Sequence, residues 1–370
     1  MTRESLSNAE WLRTVDRLGG AKFLEDEARE FGAFERARKI KCAVDQLRLV
    51  LAYCWGTRGL RLTAAWAEAV GLASLSNVAL LKRLRNSTDW LEKMVARLVG
   101  AGMPVACAAA AKGRRVRLVD ATAVAKAGRD DREYGGVWRV HSVFDLANER
   151  FTDFELTDEK KGEVIDRADV VAGEIRVGDR AYLQPDRVAK VLAAGADIVV
   201  RAKWNGARWL DVDGNCVDLV ALLKTARGKG LMDRPIFIKG SAKEPMKLRL
   251  VAIRKPKQAR ELTIEKIRRR ARDMGRKLMP ETLVAAEWVI IVTSLDRNEY
   301  PLAAISDLYR LRWRIEIAFK HLKSGVGLAR PPGDDPKSAR AHILCNLLLA
   351  LLAEPLIAEH LGDSPRQEAA

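Results

Sequence analysis

A chain of 370 residues that is 48% hydrophobic can bury a sizeable core and form two or three structural units, which argues against wholesale disorder. Its 65 Lys+Arg against 49 Asp+Glu give a net charge of +16, so the expected partner is a polyanion, nucleic acid before an anionic membrane surface. The five cysteines are scattered with no C-x-x-C pair and the four histidines do not cluster, which suits a reducing cytosol and argues against a zinc site or disulfide frame.

Residues 1–110 read as a helical unit. The opening "MTRESLSNAEWL" has no secretory apolar stretch. Ser7 with Glu10 makes a capping box, and Gly19-Gly20 a stop. A longer helical pattern runs through "FLEDEAREFGAFERARKIKCAVDQLRLVLAYCW". Next, "LTAAWAEAVGLASLSNVALLKRLRN" sets a short helix ending at Gly71 before a second one, capped by Ser76 and carrying Lys82, Arg83 and Arg85. That is the outline of a helix-turn-helix DNA reader, and equally of a helical bundle with a solvated basic face.

Over residues 111–203 the pattern changes to short β-branched runs: "RRVRLVDAT", "VHSVFDLA", "RFTDFELT", "EIRVGDRAY" and "ADIVVRAK". Helical stretches "EVIDRADVVAGE" and "QPDRVAKVLAAG" separate the later strands. Three adjacent strands followed by strand-helix alternation predict an α/β fold, a mixed sheet flanked by helices. Asp120 ends one strand and Asp179 another, where functional groups collect in sheets with parallel strands. A carboxylate at such a point also serves as a helix cap or turn residue.

Residues 204–285 form a different, β-rich segment, with hairpin material in "NGARWLDVDGNC" and "RPIFIKGSAKEPMKLRLVAIRK". Arg254 to Met279 carries eleven Lys/Arg against three acids, either a solvated helix face or the lining of a phosphate backbone. In residues 286–350, "EWVIIVTSL" is a buried strand pattern that leads to "YRLRWRIEIAFKHLKSG". At 100° per residue, Tyr309, Arg312, Glu316, Lys320 and Lys323 share an arc of about 80° beside an apolar stripe of Leu308, Leu311, Ile315, Ala318, Phe319 and Leu322. The greasy run "ILCNLLLALLAEPLIA" is broken by Glu354 and Pro355 and is shorter than the roughly 20 residues of a spanning helix, so no membrane partner is expected. The segment 351–370 ends in the polar "GDSPRQEAA".

Two strand-end aspartates and a helix glutamate are hard oxygen ligands of the kind Mg²⁺ prefers. Two such ions about 4 Å apart suit phosphodiester displacement, with arginines and lysines expected at the phosphates.

Tyr309, Arg312, Glu316 and Lys323 reproduce the Y-x₂-R-x₃-E-x₆-K signature, and with "VDATAV", "WRVHSV" and "VGDRAY" the chain resembles bacterial insertion-sequence DDE transposases of the IS-four group over about residues 60–350. The resemblance implies an RNase H-like core with a β-rich insertion between its last core strand and the glutamate helix. It implies that Asp120, Asp179 and Glu316 are catalytic and bind two Mg²⁺ ions, with Mn²⁺ as a possible substitute. It implies DNA contacts by Tyr309, Arg312, Lys320, Lys323, Arg180, Arg201, Lys203 and Trp288. For Trp288 a core position is the competing reading, since a Trp opening an apolar strand is usually buried. Glu163 falls at a recurring position with at most a supporting role, and His141 is expected to satisfy a local hydrogen bond. The expected function is cleavage at terminal inverted repeats and strand transfer into target DNA, by a dimer in the synaptic complex, in the bacterial cytoplasm. Little chain remains after residue 350 to pair protomers through that end. The alternatives are an RNase H-like nuclease without strand transfer and a non-catalytic helix-turn-helix regulator.

Overall fold

The computed structural model describes residues 8–55, 59–101, 109–125, 136–157, 161–242, 244–324, 331 and 335–361. The side chains at 8, 9, 125, 314, 317–324 and 354–361 are outside that description, as are the expected cap Ser7 and the polar end after 361.

Six helices come first: α1 (Asn8–Arg17), α2 (Ala21–Glu30), α3 (Ala43–Trp55), α4 (Leu60–Ala69), α5 (Asn77–Asn86) and α6 (Thr88–Ala101). The long helix expected from Phe23 to Trp55 is two helices. Gly32 takes φ +65, and the N–H groups of Ala33 and Phe34 both turn back to the Ala28 carbonyl. This lets the fully buried Phe34 enter the core, which outweighs the local helical pattern. Between α4 and α5, Gly71 (φ +71) ends one helix and Ser76 Oγ caps the next by accepting from Ala79 N–H, as the sequence indicates. Two basic residues of α5 are held within the protein. Arg83 donates to Gln46 Oε1 at 2.6 Å, and Arg85 pairs with Asp335 at 2.9 Å.

The sheet has nine strands: β1 (Val116–Ala125), β2 (Val137–Asp145), β3 (Arg150–Thr157), β4 (Ile175–Gly178), β5 (Asp197–Arg201), β6 (Trp209–Leu210), β7 (Leu231–Ile238), β8 (Met246–Arg254) and β9 (Trp288–Thr293). Their order is β3-β2-β1-β4-β5-β9-β8-β7-β6. An antiparallel meander β1-β2-β3 sits beside β4 and β5, both parallel to β1. That is the mixed, RNase H-like arrangement expected. The 204–285 segment does not stand apart as its own sheet. Its strands β6, β7 and β8 extend the core sheet through β9, which pairs antiparallel with both β5 and β8. It also contributes α8 (Leu219–Thr225), α9 (Lys257–Asp273) and α10 (Pro280–Ala286), which follow α7 (Pro185–Ala193) of the core. The chain continues into α11 (Leu302–Ser324) and α12 (Pro336–Leu361). Among the described residues no helix is long and apolar enough to cross a membrane.

Each sheet face buries its own cluster. Val116 and Leu118 of β1 and Ile175 and Val177 of β4 point to the side of α11 and α12, where Leu308, Leu311, Ile315 and Leu344 complete the packing. Val119 and Val200 point to the other side, onto Val188 of α7 and Leu223 of α8. Period-two alternation thus fixes which face each strand-end residue joins.

"EVIDRADVVAGE" is not the helix its pattern suggests but an irregular loop. Arg176, fully buried on β4, donates to the carbonyls of Ile165, Arg167, Ala168 and Asp169, and its Nε to Glu174. Those carbonyls are the acceptors a helix would have used, and Ala168 adopts φ +57 to present them. A buried guanidinium with a full set of partners outweighs the local preference.

Candidate active site

The two aspartates come together through register. β1 and β4 run parallel with Val119 beside Gly178, so the next residues along stand side by side: Asp179 just past the end of β4, and Asp120 midway along β1, which does not end there as expected but runs on to Ala125 paired with β2. Asp120 has the parity of Val116 and Leu118, and Asp179 that of Ile175 and Val177. Both therefore emerge on the α11 face. Helix α11 crosses β1, β4 and β5 there, anchored by buried Ile305, Leu308, Leu311 and Ile315. That stripe turns Tyr309, Arg312 and Glu316 toward Asp120 and Asp179.

Arg312 organises the site. Its Nη2 donates to Glu316 Oε2 at 2.7 Å and its Nη1 lies 3.7 Å from Asp120 Oδ1. The guanidinium also stands 5.3 Å from the Tyr309 ring centroid. The Tyr309 hydroxyl donates to Asp179 Oδ1 at 3.3 Å. Arg312 is 5% exposed, whereas the Glu316 carboxylate stands half in solvent.

The electrostatics mark a place short of positive charge. Burial drives the Asp120 carboxyl up to about 7; Arg312 opposes this, and the charges of Glu316 and Asp179 add to it. At Asp179 burial also disfavours the anion, but Arg312, the Arg180 backbone N–H, Arg201 and the Arg180 side chain together hold its carboxyl below the usual range. Burial alone would lower the Arg312 pKa, yet Tyr309, Glu316, Asp179 and Asp120 raise it. Among the described residues no three Asp, Glu, His or Cys side chains stand as a ready-made metal cage, and it is Arg312 that bridges the acids. The donor set nonetheless fits a hard divalent cation: oxygen ligands only, with a carboxyl at Asp120 that burial first, and then the charges of Glu316 and Asp179, keep from ionising fully.

The other sequence-derived positions divide. Arg180, Arg201, Lys203 and Trp288 line one cavity of about 410 Å³ next to Asp179. Trp288 is 2% exposed, in the core at the start of β9. Lys320 and Lys323 fall in the last turns of α11, and their side chains lie outside the described residues. Glu163 pairs with Arg139 of β2 at 3.2 Å, and Gln184 fixes its carbonyl, so it braces the loop beside the site. His141 shares a 2.9 Å hydrogen bond with Thr157, as expected. The sequence did not single out Lys255, Lys266 and Arg270, which line the same cavity. Their only signal was a basic run that also describes an ordinary solvated helix. Tyr182 was missed as well. It is buried beside Gly178 with no hydrogen-bond partner for its hydroxyl.

Comparison with known proteins gives a family and similar sequences. Residues 111–352 match the family described as the transposase DDE domain. The chain is 37% identical over 365 residues to the putative transposase InsL for insertion sequence element IS186A of Escherichia coli (strain K12), covering 97% of each protein. It is 37% identical over 366 residues to the transposase for insertion sequence element IS421 of Escherichia coli, again with 97% of each covered. Among solved structures, a piggyBac transposase synaptic complex with hairpin DNA aligns over 100% of this chain and 79% of that one, at 9% identity and a TM-score of 0.41.

Proposed function

The chain belongs to the transposase DDE-domain family, among the insertion-sequence transposases of the IS-four group, and from that premise we propose how its residues divide the work of cutting DNA and joining the freed strand elsewhere. Enzymes of this family use divalent metal ions. In this chain Asp120, Asp179 and Glu316 would hold two Mg²⁺ ions, or Mn²⁺ in their place. When bound, such ions supply the positive charge that activates the attacking oxygen and steadies the leaving one. The supporting observation is the convergence of all three acids on Arg312, from strands and a helix far apart in sequence.

Arg312 then has two tasks. It neutralises the acids before metal and DNA arrive, and it orients a phosphate once they are in place. Tyr309 restrains the Asp179 carboxylate through its hydroxyl. Lys320 and Lys323 continue the cationic face of α11 along the DNA backbone. Water attacks first and leaves a 3′-hydroxyl. That hydroxyl attacks target DNA in a second in-line displacement, with no covalent protein–DNA intermediate. DNA is the partner, as terminal repeats and as target, with a second copy of this chain in the synaptic complex, in the bacterial cytoplasm. The helices of 1–110 and the basic 204–285 segment would bind the repeats, and 111–203 with 286–350 would form the catalytic core.

The test is end cleavage and strand transfer by Asp120→Asn, Asp179→Asn and Glu316→Gln, on duplexes carrying the terminal repeats that bracket the coding sequence. Each variant is expected to bind the duplex with wild-type affinity and to cut none of it. A variant that still cut at the wild-type rate would remove its residue from the site. A pre-cleaved end that is never joined to target DNA would favour a nuclease without transfer.

A further inference from the structure

The cavity of about 410 Å³ beside Asp179 is lined by six cations, Arg180, Arg201, Lys203, Lys255, Lys266 and Arg270, and by no carboxylate. They come from four places: the turn after β4, the end of β5, the end of β8, and α9. Among the described residues none of the six has an acid within ion-pair distance; Arg268 and Arg272 of α9 have none either, so it is the gathering of the six in one cavity that sets them apart. Glu287, whose carbonyl accepts from the Lys255 backbone N–H at 2.9 Å, has its carboxylate occupied elsewhere. Glu287 is taken by Arg254 at 2.8 Å and by Arg227 at 2.7 Å.

Lys255 is the least expected member. Its Nζ donates to the Ala286 carbonyl at 2.9 Å and to Thr263 Oγ1 at 3.2 Å, which leaves one of three protons unused. Burial first, then Arg201 and Arg180, lower its pKa to about 8, the mark of a cation held among cations. Helix α9 is built to face this place. Thr263, Lys266, Ile267 and Arg270 recur at helical spacing on the cavity side. Arg268 and Arg272 lie on another face and share a groove with Glu261 and Glu265. One face of α9 is thus purely cationic and the other mixed.

Six cations with only Asp179 beside the cavity to offset Arg180 and Arg201 disfavour the empty state, and a bound anion relieves them. We propose that this cavity is a cradle for consecutive phosphodiesters of the DNA strand adjoining the scissile bond, with Lys255, Lys266 and Arg270 of the 204–285 segment closing on Arg201 of the core. The assignment rests on the transposase reading above and adds to it three phosphate-holding residues and a purpose for α9. That segment continues the core sheet through β8 and β9, so α9 is carried on a rigid arm beside the catalytic acids.

The experiment compares two double variants of the full-length protein that remove equal charge from α9, Lys266→Ala/Arg270→Ala and Arg268→Ala/Arg272→Ala, together with Lys255→Met. The probe is a fluorescein-labelled duplex carrying one terminal repeat, titrated in metal-free buffer from 50 to 300 mM KCl. Lys266→Ala/Arg270→Ala is expected to flatten the slope of log Kd against log[KCl] by about 2, and Lys255→Met by about 1, with little change in Arg268→Ala/Arg272→Ala. Neutral methylphosphonates placed singly along the strand should weaken wild-type binding at two or three positions next to the cut, and weaken Lys266→Ala/Arg270→Ala no further at those positions. Equal slopes for the two double variants, or methylphosphonate effects that add to the variant's, overturn the proposal. Inorganic pyrophosphate serves as the competing source of the same chemistry. Its binding lost in Lys266→Ala/Arg270→Ala while duplex binding is untouched would assign the cavity to a free anion and also overturn it. None of these readouts requires catalysis, so cutting by the Asp120, Asp179 or Glu316 variants would refute the active-site reading separately.

Discussion

Arg312 reaches across one turn of α11 to the Glu316 carboxylate at 2.7 Å, with its other terminal nitrogen 3.7 Å from Asp120. A buried guanidinium is stabilising here because the acids are present, and the acids are tolerable because it is. Removing it leaves Asp120 and Asp179 without their principal countercharge, a loss on the order of 3–5 kcal/mol for a buried pair. Arg312→Ala should therefore lower the urea midpoint of the metal-free protein substantially. Adding 10 mM Mg²⁺ should recover more stability in the variant than in the wild type, since the ion then supplies charge that Arg312 no longer does. Urea unfolding with and without Mg²⁺ measures both, and an equal Mg²⁺ effect in the two proteins would sink the counterion role.

The Tyr309 hydroxyl makes a narrower contribution. It donates one hydrogen bond to Asp179 from a ring that also carries the Arg312 cation. Tyr309→Phe keeps the ring and its packing and deletes only that bond. Stability should change by no more than about 1 kcal/mol, whereas end cleavage should slow about tenfold, one charge-assisted bond's worth of positioning. Single-turnover cleavage beside a thermal melt separates the two effects. A large loss of stability with normal cleavage would make Tyr309 a packing residue only.

Much of this site was legible in the sequence because its signals are local. The apolar runs before Asp120 and Asp179 predict strands, and the strand register then sets the two acids side by side. The helical spacing of Tyr309, Arg312 and Glu316 puts them on one face. What the sequence did not reveal depends on long-range partners. The pattern of residues 163–174 looks helical until Arg176 takes its carbonyls, and the run from Phe23 to Trp55 looks continuous until Phe34 is drawn into the core. The cationic cavity was hidden for the same reason. Lys255 and Lys266 are separated from Arg180 and Arg201 by more than fifty residues, and only the pairing of β5, β9 and β8 brings them together.

Arg176 makes a prediction about the loop rather than the site. From a fully buried side chain it donates to four carbonyls of residues 165–169 and to buried Glu174. Lysine has three donors on one atom and cannot span that set. Arg176→Lys should cost on the order of 3 kcal/mol, and Arg176→Met more, because buried Glu174 then keeps only Arg117, 3.1 Å away, and the loop carbonyls lose their shared donor. Limited proteolysis should cut the variants within 163–173 well before the wild type. An unchanged digestion pattern would mean that the loop holds its shape without the clamp.

Two buried histidines contribute acid sensitivity, opposed over the same pH window by Asp120, whose raised carboxyl gains stability as the pH falls. His141 and His342 are 1% and 2% exposed. Burial first, with Arg167 and Arg139 adding to it at His141, drives each imidazole down to about 4. His141 Nε2 lies 2.9 Å from Thr157 Oγ1, and His342 Nδ1 lies 3.0 Å from the Asn346 amide nitrogen, which makes Nδ1 the acceptor of a neutral ring. At each ring the folded state therefore holds fewer protons than the unfolded chain between the ordinary value of 6.5 and about 4. Stability from each ring is fully present above 6.5 and falls as the pH drops through that window, by at most about 3 kcal/mol per histidine. His342→Gln keeps a polar group beside Asn346 and has no proton to take up. Urea midpoints at pH 7, 6, 5 and 4.5 should decline less steeply in His342→Gln than in the wild type, whatever its stability at pH 7. The same slope in both proteins would show that the His342 ring accepts its proton without leaving the core, and that the acid sensitivity of this fold resides elsewhere.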